Sequence, residues 1–226
     1  MNIRQLSNVR TQQSNLLTAK TIQAHCTYLP DALYSTLEAV RDLGTAIAHC
    51  PLSNAYFSNL PFPLRETLDA GVKVGLGTDV AGGYSFDIMN AMRQAVIVSR
   101  TREGARIEQS LSEPATSTGK SLIVHWTDAL FLATRGGALA LGLSTGVFAP
   151  GASFDAQRSK CCSDVTASLV AHPMLVDLVD KSGRGIANLD FFDPVAVLTE
   201  EHIEKWWCLG DNRNRSAVWV QGKQIL

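Results

Sequence analysis

Charged side chains are scarce in this sequence and make up 18% of its 226 residues. Because the average in soluble domains is about a quarter, we expect the chain to bury more surface than usual or to lie against a partner. The formal net charge is −1, whereas binding to nucleic acid requires a strongly basic surface. Nucleic acid is therefore not expected as a partner.

Long apolar segments are also missing. No run reaches about eighteen apolar residues, the length at which a membrane-spanning helix is expected. Residues 1–13 are polar and lack the apolar centre of a secretory signal. The sequence therefore predicts a cytoplasmic protein without a membrane association.

Cysteine is present in an odd number, five, and no two cysteines have the C-x-x-C spacing. This excludes a disulfide framework and a zinc knuckle and indicates reduced thiols. Cys26 and Cys50 each follow directly after a histidine. Such cysteines either bring a sulfur close to a functional site or pack as small core residues, and the general burial of cysteine favours packing.

The chain does contain three short apolar runs that end on polar, chemically competent residues. They are Thr21–His25, Thr45–His49 and Val72–Asp79. Helical patterns lie between them, so the segment reads as repeated strand–helix units of an α/β fold. In a parallel arrangement the carboxyl ends of the strands meet at one mouth. The pattern therefore predicts that His25, His49 and Asp79 face each other there.

Apolar spacing, proline and glycine together predict where the helices lie. The predicted helices cover residues 30–43, 63–70, 86–100, 127–141 (with a kink or break at 136–137) and 199–209. The polar stretch 102–122 is predicted to be a long surface loop. After residue 142 short β-like pieces, 154–157 and 217–221, surround an irregular stretch. We expect an N-terminal segment (1–14), a β/α part (15–146) and a small β-containing element (147–226).

A single histidine at the end of a strand is more often a structural residue than a ligand, so His125, His172 and His202 are set aside. His25 and Asp79 differ because their positions relative to strands and loops match. Small residues on both sides of Asp79 let other groups approach it closely. An aspartate beside a bound metal can ligate it and accept a proton from its water, while a histidine orients that water. The adjacent Gly82-Gly83 pair lacks the remaining residues of a phosphate-binding loop.

Several motifs match a known family. They are Ala24-His25, Ala48-His49-Cys50-Pro51-Leu52-Ser53-Asn54, Gly75-Leu76-Gly77-Thr78-Asp79-Val80-Ala81-Gly82-Gly83-Tyr84-Ser85, Ala133-Thr134-Arg135-Gly136-Gly137-Ala138, Trp206-Trp207-Cys208-Leu209-Gly210-Asp211 and the Val218–Gly222 tail. In these motifs the sequence resembles the guanine deaminases of the amidohydrolase superfamily, from about Asn15 to its end. The resemblance is weaker over 102–122 and 157–189.

The resemblance implies a zinc-dependent β/α barrel with a small β domain that hydrolyses guanine to xanthine and ammonia in purine catabolism. It implies that Asp79 is a metal ligand and accepts a proton from the attacking water. His25 corresponds to a histidine that contacts the zinc-bound water or the substrate. His49 corresponds to a structural residue or one that lies behind the site.

The family's H-x-H pair, its H-x-x-E motif and its purine-binding arginine, all of which lie upstream of the matched part, have no counterpart before His25. A catalytic zinc needs about three protein ligands, so we expect these residues alone to be inactive. The sequence is interpreted as the C-terminal part of a guanine deaminase that forms a homo-oligomer or joins an intact subunit. Two alternatives stay open: a non-catalytic remnant bound to a full-length subunit, and an amidohydrolase for another amino-substituted ring.

Overall fold

The computed structural model describes residues 16–28, 33–112, 119–160, 164–171, 174–179 and 199–226; of the side chains in 160–179, and of Arg213, nothing is said. The predicted N-terminal segment 1–14 lies outside these residues. The chain divides into two compact units, Met1–Leu143 and Ser144–Leu226. Each unit is described by itself.

The first unit alternates short strands with helices. Its elements in chain order are β1 (Ile22–Ala24), α1 (Leu33–Asp42), β2 (Ala46–His49), α2 (Pro51–Ser53) with a π-helical turn (Asn54–Ser58), α3 (Leu64–Asp69), β3 (Lys73–Leu76), α4 (Ile88–Ser112), α5 (Trp126–Phe131), a second π-helical turn (Leu132–Gly136) and α6 (Gly137–Ala140).

The three strands form one parallel sheet in the order β1-β2-β3. Ala24 pairs with Ala48, and His49 pairs with Leu76, so the carboxyl ends of the strands lie at the same edge. The central strand β2 is apolar on both faces, with Ala46 and Ile47 fully buried, as expected for a strand covered on both sides. The predicted α/β arrangement is therefore present in this unit.

The core of the unit lies between this sheet and the helices. It is formed by residues of α1, β2, α3, β3, α4 and the second π-helical turn and by residues of the segments between the elements: Cys26, Leu37, Val40, Ile47, Phe62, Leu64, Val72, Val74, Ala95, Val124 and Leu132. Helix α1 ends at Asp42, and Gly44, two residues later, has a φ of +70°, the left-handed conformation that glycine adopts most easily.

Helix α4 is longer than predicted. It extends to Ser112 and so covers about half of the stretch that was predicted to be a surface loop. Two ion pairs explain the extension. Arg102 donates to both carboxylate oxygens of Glu66 at 2.5 and 2.9 Å, and Arg106 donates to Glu103 at 2.7 Å. Glu103 also accepts the backbone N–H of Leu122 at 2.9 Å. The predicted loop is thus wrong over 102–112, and its remaining described part, 119–122, is held to the helix.

Two glycines let the last helical segment of the unit pack closely on β3. A Cβ atom at Gly136 would lie 2.8 Å from the carbonyl oxygen of Val74, and one at Gly75 would lie 3.0 Å from Cα of Gly137. The predicted break at 136–137 corresponds to the end of the second π-helical turn. Gly75 and Gly136 are therefore required because the backbones approach closely here. Gly136 is also the residue at which the helix type changes.

The second unit is built around a five-stranded sheet. Its elements are β4 (Ala156–Lys160), β5 (Asp164–Ala171), β6 (Met174–Val179), α7 (Glu200–Leu209), a 3₁₀ turn (Asn212–Asn214), β7 (Arg215–Val220) and β8 (Lys223–Gln224). The strand order is β5-β6-β4-β7-β8; among the described residues of this sheet the β4–β6 pair is parallel and the other three pairs are antiparallel. Strands β5 and β6 fall in the stretch predicted to be irregular, so that part of the prediction is wrong.

Helix α7 matches its predicted range of 199–209 within one residue, with Thr199 as N-cap. Within the described residues, none of the helices combines the length and the apolar character that crossing a bilayer requires.

Candidate active site

The ends of β1 and β3 bring a histidine and an aspartate together. His25 directly follows β1, and its backbone N–H still donates to the carbonyl of Ala48 at 3.0 Å, which continues the ladder to β2. Asp79 lies three residues beyond β3. Nε2 of His25 is 3.7 Å from Oδ2 of Asp79, and both side chains are about two-fifths exposed, at 40% and 37%. The predicted juxtaposition of these two residues is present.

Both residues have an unusual backbone conformation. The φ angles of His25 and Asp79 are +67° and +50°, in the left-handed region that residues with a Cβ rarely adopt. Such conformations cost about 1–3 kcal/mol each and are concentrated at functional sites. The two strained positions are also the two whose side chains approach each other.

Glycines after Asp79 keep the loop tight. A Cβ atom at Gly82 would lie 2.6 Å from Oδ2 of Asp79, and one at Gly83 would overlap the carbonyl oxygen of Thr78. The N–H of Gly83 donates to the carbonyl of Asp79 at 2.5 Å. The small residues that the sequence places around Asp79 are therefore needed for close approach.

His49, at the end of β2, does not reach the open edge with the other two. It is 1% exposed, and its ring packs against Phe62 with centroids 4.9 Å apart. Burial, and to a smaller degree the nearby His25, lower the pKa of His49 to about 3. His49 is therefore neutral and lies behind the site.

Asn54 connects the two histidines. Its Oδ1 is 2.9 Å from Nδ1 of His25, and its Nδ2 is 3.4 Å from Nδ1 of His49. Oγ of Ser53 is 3.5 Å from the same nitrogen of His25. The sequence analysis assigned neither residue a role in the site; the structure places Ser53 in α2 and Asn54 at the start of the first π-helical turn. The signal was present, because Asn54 ends the Cys-Pro-Leu-Ser-Asn motif.

The two cysteines beside the histidines are inert. Burial raises the pKa of the Cys26 thiol to about 12, and burial together with the charge of Asp79 raises that of Cys50 to about 11. Both thiols stay protonated at neutral pH, which agrees with the packing interpretation.

Two of the remaining histidines have local structural contacts. His125 caps helix α5, and Nδ1 of His202 lies 2.7 Å from Oγ1 of Thr199 at the start of α7. These contacts agree with setting His125 and His202 aside. His172 lies outside the described residues, so setting it aside stays a prediction.

A cavity of about 430 Å³ lies on the other side of His49 and Asn54. Its walls come from the segment that follows β2 and from helix α4, including Phe62, Ile97 and Arg102. Arg102, which lines the cavity, is ion-paired with Glu66. The cavity is separate from the His25–Asp79 pair because neither residue lines it.

A metal ion would find only part of a site here. Across the described residues, no group of three or more histidine, cysteine, aspartate or glutamate side chains is arranged to hold one. Asp79 and Nε2 of His25 supply at most two donors, and a catalytic zinc needs about three protein ligands. The described residues therefore do not fit a complete zinc site.

Parallel strands whose carboxyl ends present a histidine and an aspartate have the arrangement of an active site in β/α proteins. The sequence pattern of the amidohydrolase family matches residues 8–225. The chain therefore belongs to the amidohydrolase family.

Within that family the similarity is to guanine deaminases. The chain is 36% identical over 218 residues to the guanine deaminase of Mus musculus, covering 95% of this chain and 40% of that protein. The solved guanine deaminase of Bradyrhizobium japonicum has a TM-score of 0.68 at 20% identity, covering 95% of this chain and 44% of its own. A guanine deaminase from C. acetobutylicum with bound guanine has a TM-score of 0.62 at 21% identity, covering 99% and 44%. The chain spans about two-fifths of the length of these relatives.

Proposed function

We propose that this chain contributes one edge of the active site of a guanine deaminase, which hydrolyses guanine to xanthine and ammonia. The observation that carries the proposal is the approach of His25 to Asp79 at 3.7 Å, across loops whose motifs match those of guanine deaminases. The 36% identity to the mouse enzyme, which covers nearly the whole of this chain, supports guanine as the substrate.

The two outer strands of the first sheet, β1 and β3, indicate that further strands pair with it in the whole protein. Among the described strands, β1 and β3 each pair on one side only. Unpaired edges and exposed apolar residues are costly unless they are covered; Ile22 in β1 is 41% exposed. We therefore propose that β1, β2 and β3 form one segment of a barrel, and that further strands supply the remaining metal ligands and the proton donor for the leaving ammonia.

In this assignment Asp79 accepts a proton from the water that attacks the ring carbon bearing the exocyclic amine. His25 orients that water by accepting a hydrogen bond from it at Nε2. His49 keeps the arrangement rigid from behind. Zinc is the metal expected from the resemblance, and it would supply the activated water. The cytoplasmic location and the oligomer expected from the sequence stay predictions.

The test is deamination by the protein that carries this sequence, loaded with zinc and followed by xanthine and ammonia release. Asp79→Asn keeps the size of the side chain and removes the base, so the rate should fall about 10³-fold, within the range for general-base loss. Asp42→Asn, on an exposed face of α1, is the matched control and should leave the rate unchanged.

Adenine and an aminotriazine serve as competing substrates. Guanine should react at least tenfold faster than either. Faster turnover of another amino-substituted ring would contradict the substrate assignment, and equal rates for Asp79→Asn and the unsubstituted protein would contradict the site.

A further inference from the structure

We propose that Asn54 is a positioning residue that holds the ring proton of His25 on Nδ1 and leaves Nε2 unprotonated, as a hydrogen-bond acceptor facing Asp79. The kinetic consequence rests on the proposed function, whereas the assignment of the proton rests on geometry alone.

The contact between Asn54 and His25 has the geometry of a good hydrogen bond. The Oδ1···Nδ1 distance is 2.9 Å, close to the most common value for N–H···O bonds. An amide oxygen only accepts, so Nδ1 must carry the proton. On the opposite side of the ring, Nε2 is 3.7 Å from Asp79, too far for a hydrogen bond that would hold a proton there instead.

The amide of Asn54 is itself fixed in place. Asn54 is 2% exposed, and its backbone N–H donates to the carbonyl of Cys50 at 2.9 Å. Its Nδ2 faces Nδ1 of His49 at 3.4 Å. Because His49 is buried and neutral, this nitrogen is free to accept from the amide, and His49 then carries its proton on Nε2.

The opposite amide orientation makes the opposite prediction. If the oxygen and nitrogen of Asn54 were exchanged, the NH₂ group would donate to His25, whose proton would then lie on Nε2. His49 would in turn carry its proton on Nδ1. The two orientations therefore differ in an observable property, the tautomer of His25.

The proposed tautomer suits the orientation of a water molecule. A His25 ring that carries its proton on Nδ1 offers the lone pair of Nε2 to a hydrogen of a water at the carboxyl ends of the strands. A hydrogen-bonded partner on the distal nitrogen is a common means of fixing a functional histidine.

The test is ¹⁵N NMR of histidine-labelled protein, with the His25 signals assigned by their loss in His25→Gln. We expect Nδ1 of His25 to show the shift of a protonated nitrogen and Nε2 that of an unprotonated one. Asn54→Leu, similar in volume but without hydrogen bonds, should move the proton to Nε2. Asn54→Asp keeps an acceptor oxygen and should retain it on Nδ1.

The kinetic readout is independent of the spectrum. Asn54→Leu should lower kcat by about 10–100-fold, the usual effect of losing a residue that orients a ligand or catalytic group, with KM little changed. Asn54→Asp should recover most of that loss. Asn90→Leu, an asparagine in α4 whose amide contacts Ser85, is the control and should change neither readout.

A His25 proton found on Nε2 in the unsubstituted protein, or left on Nδ1 in Asn54→Leu, would overturn the proposal. If Asn54→Leu does not fold, the unsubstituted protein and Asn54→Asp still decide the question. Absence of guanine turnover alongside the expected tautomer would contradict the proposed function and leave this assignment intact.

Discussion

The two compact units use β-structure for different ends. In the first, the strands run parallel, so their carboxyl ends meet at one edge and bring His25 to Asp79. In the second, most of the described strand pairs are antiparallel, so the carboxyl ends of the strands are divided between the two ends of the sheet. Strand direction therefore decides whether the residues that follow the strands come together at one place.

One glycine in each unit lets backbone atoms approach closely, but only the one in the first unit lies beside the candidate site. Gly83 in the first unit and Gly210 in the second both have another backbone atom where a Cβ would lie: the carbonyl oxygens of Thr78 and Trp206. Neither has a left-handed φ, so close approach alone explains the need for glycine at these positions. The same substitution should therefore have a functional effect in one unit and only a structural effect in the other.

The sharpest test of the contrast is this matched glycine pair. Gly83→Ala should displace the loop that carries Asp79 and lower kcat by about 10²-fold, the loss expected from a misplacement near 1 Å. Gly210→Ala should lower the free energy of unfolding by about 1–3 kcal/mol through overpacking against Trp206, with kcat unchanged. Steady-state kinetics and urea unfolding measure both. An equal loss of kcat in the two variants would break the comparison.

Strand ends in the first unit were predictable because apolar runs ending on His25 and Asp79 are a local pattern. The contact of Asn54 with His25 was not, because it joins residues 29 positions apart through a π-helical turn. The extension of α4 was missed for the same reason, since the Arg102–Glu66 ion pair spans 36 positions. In the second unit, β6 pairs with β4 as well as with β5, so non-local pairing decides where it lies.

Buried His49 predicts a pH dependence confined to the first unit. Its pKa is about 3 in the folded state and 6.5 in the unfolded chain, so the unfolded state binds more protons between these values. The stabilisation is complete above pH 6.5 and is lost as pH falls towards 3, at up to about 1.4 kcal/mol per pH unit. Hydrogen exchange of β2 amides should report this loss, whereas β7 amides should not.

Two variants separate the titration of His49 from its packing. His49→Leu should remove this part of the pH dependence from β2. Phe62→Leu, which alters the ring that contacts His49 but keeps the titrating group, should lower protection about equally at every pH. If the protection of the β2 amides changes with pH to the same extent in His49→Leu and in the unsubstituted protein, the burial of His49 does not cause this pH dependence.

The rate of thiol alkylation should also differ between the two units. This is the smallest of the expected effects and the simplest to measure. Cys26 and Cys50 are buried with raised thiol pKa values, whereas Cys208 in α7 is exposed. At pH 7.5 iodoacetamide should label Cys208 at least tenfold faster than the other two, because the thiolate is the reacting form. Mass spectrometry of the three peptides measures the rates, and Cys208→Ser is the control. Rapid labelling of Cys50 would mean that the site edge is more open than described.

The cooperation of His25 and Asp79 is tested most directly by a double-mutant cycle on kcat/KM for guanine, using His25→Gln, Asp79→Asn and the double variant. If the two side chains act on the same water, the double variant should be no more than about threefold slower than Asp79→Asn alone, because residues that act as a unit are not additive. Losses that multiply, so that the double variant falls by the product of the single effects, would show that the two residues work independently and would contradict the assigned site.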